Sequence, residues 1–210
     1  MTAAIGPSCW PDLGQGRCRG VDDGMALDPQ ALSPVYHLLG LIVLPLWIAA
    51  GSADYLCHRA ARIAQTSGWR ESALHLIQLF LVGLPAMAAL FLRPNAGFFL
   101  LALLCILLHH ITAYIDIRYA DATRDVKPGE QTVHGFLEIL PITAFLLLAV
   151  AGWPQFLALF HGEGSARFAP EPRFFSATYT AAILAAVFLF NVLPYGEELL
   201  RCLKAGAIKR

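Results

Sequence analysis

Acidic and histidine side chains recur in four apolar stretches of this sequence, in types and spacings that could bind metal ions. In three stretches an acid and a histidine are four residues apart, and in the fourth a histidine doublet begins seven residues before an aspartate, about two helical turns. Each group therefore projects from one face of a helix, and imidazoles with carboxylates suit iron, manganese or zinc. The nine residues are Asp54, His58, Glu71, His75, His109, His110, Asp116, His134 and Glu138.

The distribution of charge predicts that these stretches cross a membrane. Hydrophobic residues make up 57% of the chain and charged residues 14%, a composition far more apolar than that of a soluble domain. Five long gaps between charges each hold about the twenty apolar residues that a spanning helix needs. These runs lack the alternation of a membrane β-barrel. We therefore predict an all-α bundle of five transmembrane helices, roughly over residues 34–57, 71–92, 96–117, 131–152 and 174–196.

The rest of the chain is predicted to be peripheral to one transmembrane domain at 34–200. Residues 1–33 are rich in Gly, Pro and Asp, which predicts a disordered tail and not a signal peptide. Residues 201–210 are predicted to form a basic cytoplasmic tail. The fifth apolar run contains no acid or histidine, so we expect it to supply packing and substrate contacts. The net charge is zero and no basic arm is present, which argues against nucleic acid as a partner.

Basic residues predict the orientation of the bundle. Ten of the fifteen Lys and Arg lie in the loops 58–70 and 117–130 and in the C-terminal tail. The positive-inside rule then places the N-terminus outside and the C-terminus inside. All nine candidate ligands fall at or near the cytoplasmic ends of the first four helices. We expect a protein of the bacterial cytoplasmic membrane with its site near the cytoplasmic face.

The number of candidate ligands predicts two metal ions. An ionisable group within a membrane helix costs roughly 2.5 kcal/mol or more, so such groups are rarely present without a function. Five histidines and four acids exceed the ligands of one tetrahedral zinc, whereas helical bundles that hold two irons project Glu and His inward from four helices. We therefore predict a di-metal centre from helices one to four, with iron favoured and zinc or manganese as alternatives. Glu138, two turns inside its span, and Glu71 are the candidate catalytic groups.

The arrangement resembles the membrane di-iron superfamily of fatty-acid hydroxylases, desaturases and alkane hydroxylases. The resemblance covers roughly residues 50–140 and rests on Asp54-x-x-x-His58, Glu71-x-x-x-His75, the doublet His109-His110 and His134-x-x-x-Glu138, in which acids replace several histidines of that family's boxes. It implies oxygen-dependent hydroxylation or desaturation of a lipid-like apolar substrate that enters between the helices. Electrons would come from an external donor, because the chain has no flavin, cluster or nicotinamide motif. Basic loops at 59–70 and 118–127 could dock that donor.

Three other functions remain open from the sequence. A zinc-dependent membrane hydrolase would use a metal-bound water, with Glu138 or Glu71 as base. A b-type haem electron carrier would use His75 or the histidines of the third and fourth helices as axial ligands, but it leaves the paired acids without a role. A metal-ion carrier would need ligands along a route across the membrane, whereas these cluster at one depth. Asp116 could instead pair with Arg118 or Arg124 in the adjoining loop.

Overall fold

The computed structural model describes residues 29–92, 94–161 and 175–208, and helices account for nearly all of these ranges. Two of the six helices contain a π-helical turn, one in α1 and one in α6. The helices are α1 (Pro29–Leu38, the π turn Leu39–Val43, and Leu44–Ala61), α2 (Trp69–Phe91), α3 (Ala96–Thr123), α4 (Pro128–Ala151), the short α5 (Trp153–His161) and α6 (Ala177–Val187, the π turn Phe188–Val192, and Leu193–Ile208).

Five of these helices, α1 to α4 and α6, are long and apolar enough to cross a membrane. Large apolar side chains such as Leu41, Phe80 and Leu107 are more than half exposed on the outside of the bundle. An apolar surface of this extent suits contact with lipid instead of water. The prediction of an all-α membrane bundle with five spans is confirmed, and no β-strand occurs in the three described ranges.

The two ends of the predicted domain differ from the structure. Most of the predicted disordered tail, 1–28, lies outside the described residues, but residues 29–33 already belong to α1. At the other end, α6 continues to Ile208 because Tyr195, Glu198 and Cys202 recur at helical spacing on a buried face. Residues 201–208 are therefore part of a helix and not a separate tail.

A tight turn joins α1 to α2 and sets the end of α1 beside the start of α2. Arg62 takes a left-handed conformation (φ 54°), and Gly68 has φ 77°, which glycine adopts without steric cost. Within the turn, the Gly68 N–H donates to the Ile63 carbonyl at 2.7 Å, and the Tyr119 hydroxyl of α3 donates to the Ser67 carbonyl at 2.9 Å. The C-terminal part of α1 and the start of α2 are thereby fixed beside the end of α3.

Helix α6 packs closely against α1 at Gly51. A Cβ at this position would clash with the Asn191 side-chain amide as it is placed, so glycine leaves room for this contact. Asn191 Nδ2 donates to the Ile48 carbonyl at 3.3 Å, and the Tyr195 hydroxyl oxygen lies 3.2 Å from the Gly51 carbonyl. This contact aligns the next turn of α6, which carries Glu198, with the C-terminal half of α1.

Aromatic side chains fill the opposite end of the bundle. Phe98, Phe99, Ala102 and Ala149 form a buried apolar cluster. The Phe99 ring packs edge-to-face on Phe145 and on Phe156 of α5, at centroid distances of 5.9 and 5.6 Å. We call the four buried residues, together with Phe145 and Phe156, the aromatic cluster. Because α5 covers it, the bundle is closed by apolar packing at this end.

Candidate metal centre

Eight side chains with metal-binding chemistry converge at the other end of the bundle, from all five spans. Three are histidines and five are carboxylates, and all but the half-buried His134 are buried. We call this set the polar cluster, and its members are Asp54, His58, Glu71, His75, Asp116, Glu130, His134 and Glu198. Two overlapping groups of three offer ligand atoms within 4.8 Å of one another, Asp54 with His58 and His134, and His58 with Glu71 and His75. The cluster could therefore hold a metal ion.

His58 lies at the middle of the polar cluster and is fully buried. Its Nδ1 is 3.1 Å from Oε2 of Glu198. Its Nε2 is 3.4 Å from Oδ2 of Asp54 and 3.6 Å from Oε1 of Glu130, but it makes no hydrogen bond of normal geometry. A buried nitrogen that faces two carboxylates without a hydrogen bond fits a position where a cation would sit.

Glu198 joins His58 to His75. The two imidazole rings stack in parallel, with centroids 4.1 Å apart and planes inclined by 8°. His75 Nδ1 is 3.0 Å from Oε1 of Glu198, and its Nε2 is 3.1 Å from Oδ2 of Asp116. Gln78 donates to the same Asp116 oxygen at 3.0 Å. One carboxylate thus contacts two histidines on different helices.

His134 completes the cluster from α4. Its Nε2 lies 2.9 Å from Oδ1 of Asp54. The Tyr195 hydroxyl donates to the other Asp54 oxygen, Oδ2, at 2.8 Å. Asp54 is therefore held from both sides, and such supporting hydrogen bonds orient metal ligands in proteins.

Arg124 closes the outer edge of the cluster, just beyond the end of α3. Its Nε donates to both oxygens of Glu71 at 3.1 and 3.2 Å, its Nη1 donates to Oε2 of Glu130 at 2.9 Å, and its Nη2 contacts both carboxylates. Burial by itself would lower the pKa of Arg124, but the hydrogen bonds and charges of Glu130 and Glu71 raise it above its ordinary value. The guanidinium therefore stays charged.

The charges of the polar cluster do not balance. Five buried carboxylates face one buried guanidinium, which leaves four negative charges. Protonation of all three histidines would still leave one of these uncompensated. Two divalent cations would neutralise the cluster with neutral imidazoles, and buried charge without compensation is costly. The donor set and its charge therefore fit two divalent metal ions.

Six of the nine residues singled out in the sequence belong to the polar cluster, and three do not. His109 is buried and lines a cavity beside the cluster, whereas His110 is half-buried. Glu138 is half-buried, belongs to neither group of converging ligands, and has no hydrogen bond or ion pair to another residue in the described part of the chain. Adjacent residues on a helix point about 100° apart, so the doublet could not direct both rings to one centre.

Three residues of the site were missed in the sequence. Glu130 had a readable signal, because it precedes His134 by four residues as Asp54 precedes His58 and Glu71 precedes His75. Glu198 had none, since it follows the apolar run of α6 and faces the site only because that helix continues. The fifth span, from which the sequence predicts packing and substrate contacts, also contributes Glu198 to the polar cluster. Arg124 was considered as a partner of Asp116, but it pairs with Glu71 and Glu130.

Comparison with known proteins assigns no family to this chain. No protein-family model, no curated protein and no solved structure matches this chain.

Proposed function

We propose that this chain is an integral-membrane di-iron oxidoreductase that uses dioxygen to oxidise a C–H bond of an apolar substrate. The observation that carries the proposal is the polar cluster. Its eight side chains, seven of them buried, come from five spans and leave four negative charges for two divalent cations. Carboxylates would neutralise the charge of the ions, while neutral imidazoles anchor them. Bound iron would supply oxygen activation and electron transfer, which no side chain of this chain can provide.

Separate parts of the polar cluster would hold the two ions. Asp54 and His134 would hold one, Glu71 and His75 would take part in holding the other, and His58 belongs to both groups. Glu198 would support both positions, since its two oxygens contact His58 and His75. Gln78 and Tyr195 would fix the orientation of the acids that they contact, and Arg124 would fix Glu71.

An apolar cavity next to the ligands favours oxidation of an apolar substrate over hydrolysis. It reaches Asp54, His75 and His134, but most of its wall consists of side chains such as Leu44 and Val82. Such a wall keeps water away from reactive intermediates. A zinc hydrolase would need a free carboxylate as base, yet Glu71 is engaged by Arg124 and Glu138 lies outside the cluster. Hydrolysis is therefore the weaker proposal.

The geometry also disfavours a b-type haem. An axial histidine needs open space as wide as the haem macrocycle in front of one ring nitrogen, whereas a single metal ion fits between neighbouring side chains. Both nitrogens of His75 face carboxylates, at 3.0 and 3.1 Å, and its ring is stacked against His58 at 4.1 Å. No face of this imidazole is open to a macrocycle.

Electrons would reach the site from a partner protein at the same end of the bundle. Arg62 and Arg70, on either side of the α1–α2 turn, and Arg118 of α3 are exposed there. A cationic surface of this kind would attract an acidic donor by electrostatic steering, which weakens as salt concentration rises.

The experiment is a metal analysis of the purified protein in detergent. We expect about two irons per chain, because the four uncompensated negative charges of the polar cluster match two divalent cations. The visible spectrum should lack the Soret band of haem. His37→Ala is the matched control, because His37 is exposed at the opposite end of α1. A chain that binds no divalent metal after growth with iron, manganese and zinc would refute the proposal. A single zinc per chain would favour the hydrolase.

A further inference from the structure

Two cavities inside the bundle form one passage that begins at the polar cluster. The first is lined by Asp54, His75 and His134, and the second extends to Tyr36 and Phe98. Both are lined by Leu44, Trp47, Val82 and Ala86, so they adjoin each other. Their volumes are about 120 and 90 Å³, against the roughly 10–15 Å³ needed by one water molecule. The passage is therefore large enough for an organic ligand.

The shape and chemistry of the passage fit a single extended chain. Asp54 and Tyr36, which line its two ends, are eighteen residues apart on α1, about 27 Å at 1.5 Å per residue. Between them the wall is almost entirely apolar, with Trp47 and Val82 at the middle. A long unbranched alkyl chain matches this length and this lining, whereas a compact polar molecule matches neither.

His109 supplies a place for a polar head group. Its side chain is 97% buried and lines the first cavity, yet neither ring nitrogen has a hydrogen-bond partner of normal geometry, although the main chains of Gln78 and Leu137 lie close by. The amides of Gln78 and Asn191 already donate to Asp116 and to the Ile48 carbonyl. A buried polar group without a partner is unfavourable, so a ligand that supplies one is favoured at this position. A neutral imidazole has one donor and one acceptor nitrogen, which suits a ligand oxygen.

The charge of the site selects the kind of head group. The polar cluster carries four uncompensated negative charges, and two divalent cations would bring it only to neutrality. No excess positive charge is then left to stabilise an ionised carboxylate or phosphate in this buried position. A hydroxyl or a carbonyl carries no net charge and can hydrogen-bond with His109.

We propose that the passage binds one long unbranched chain with a neutral oxygen head group, a primary alcohol or the corresponding aldehyde. The head lies at His109 beside the polar cluster, and the tail runs past Trp47 toward Phe98. This inference rests on the proposed function and deepens it, since it names the substrate class of the same site. It also places the head end of the substrate, and not the middle of its chain, next to the metal ligands.

Photolabelling tests the proposal in the full-length protein, reconstituted in phosphatidylcholine nanodiscs. The probe is hexadecan-1-ol with a diazirine at its methyl end, and labelled residues are mapped by mass spectrometry. We expect labels near Phe98 and Phe145, suppressed at least tenfold by excess hexadecan-1-ol but not by hexadecanoate. Labels confined to lipid-facing residues such as Phe80 would overturn the proposal. Equal competition by hexadecanoate would overturn the neutral head group.

Matched variants separate ligand contacts from general damage. Ala86→Phe should block the section shared by the two cavities. It should reduce the photolabelling that excess hexadecan-1-ol suppresses at least tenfold. Met87→Phe, at an exposed neighbouring position, should leave this labelling unchanged. His109→Phe should abolish competition by the alcohol, and His109→Gln, which can still donate and accept, should retain it. His110→Phe is the neighbouring control. If hexadecan-1-ol suppresses the labelling of His109→Phe as strongly as that of the wild type, the assignment of the head group is wrong.

Metal content measured on the same samples distinguishes the inference from the proposed function. If the protein holds its full metal content but excess alcohol does not suppress the labelling, the proposed binding of a long-chain alcohol is wrong. The proposed oxidoreductase function is not contradicted by this result. Competitive labelling in a wild-type protein that holds no metal contradicts the oxidoreductase and removes the basis for calling the ligand its substrate.

Discussion

The two ends of the bundle bury their side chains for different physical reasons. In the aromatic cluster, Phe99 makes edge-to-face contacts with Phe145 and Phe156, and each contact stabilises the fold. In the polar cluster, fully buried Glu71 and Glu198 are ionisable groups whose burial is unfavourable unless charge is compensated. Folding alone explains why the aromatic side chains are buried at the first end, but it does not explain the burial of the carboxylates at the second.

This contrast indicates which end of the bundle has a role beyond folding. A membrane bundle needs no buried carboxylates for its stability, since small and apolar residues pack its helices well. Five carboxylates at one end are stable only beside opposite charge, and a partner beyond Arg124 would supply it. If that partner is a pair of metal ions, variants at the two ends should have separable effects: metal loss at the polar cluster, and loss of stability without metal loss at the aromatic cluster.

The largest effect is expected for His58→Ala. His58 belongs to both groups of converging ligands, so its loss weakens both proposed ion positions. Loss of one supporting contact commonly costs about 10–100-fold in metal affinity, and loss of a shared ligand should cost at least that. Metal content by mass spectrometry and a chelator titration measure it. Wild-type affinity in this variant would show that the cluster is a structural ion-pair network.

Phe99→Ala should produce the opposite result. Its side chain is fully buried among aromatic rings, and truncation of such a residue costs about 3–5 kcal/mol through lost contacts and a cavity. We expect a lower midpoint of thermal unfolding in detergent, with metal content per folded chain unchanged. A large loss of metal from the folded fraction would show that the two ends are coupled, and the contrast between them would fail.

Glu198→Ala tests the contribution of α6, with Glu197→Ala as its neighbour control. Glu198 is fully buried between His58 and His75, whereas Glu197 is exposed and pairs with Arg59 and Arg201. We expect about 10–100-fold weaker metal binding for Glu198→Ala. The metal affinity of Glu197→Ala should be nearly unchanged, because exposed ion pairs contribute about 1 kcal/mol or less. Equal effects of the two variants would remove Glu198 from the site.

The spans and the ligands of the α1–α2 hairpin could be predicted from the sequence because both depend on local pattern. An apolar run of sufficient length determines a spanning helix, and a four-residue spacing determines that Glu71 and His75 share a face. The contribution of Glu198 could not be predicted, since it depends on α6 continuing past its apolar run and on the close packing at Gly51. Contacts between distant helices have no counterpart in sequence spacing.

The choice between Glu130 and Glu138 shows a second limit. Both are four residues from His134, one before it and one after, so both share its face of α4. Spacing determines the face of a helix but not the depth at which the partner helices meet it. That depth is set by Arg124 and by the ends of α1 and α2, and they meet α4 at Glu130.

The smallest effect, and the sharpest test of that depth, is expected for Glu130→Gln compared with Glu138→Gln. Glu130 is buried, lies 3.6 Å from His58 and pairs with Arg124, which would retain Glu71 as a partner. Because the amide keeps the shape and one acceptor oxygen but removes a charge, we expect metal binding weakened by about tenfold, the lower end for loss of a supporting group. Glu138→Gln should be close to wild type in the same chelator titration. The reverse order would place the metal ions about two turns deeper along α4, at the position that the sequence alone favoured.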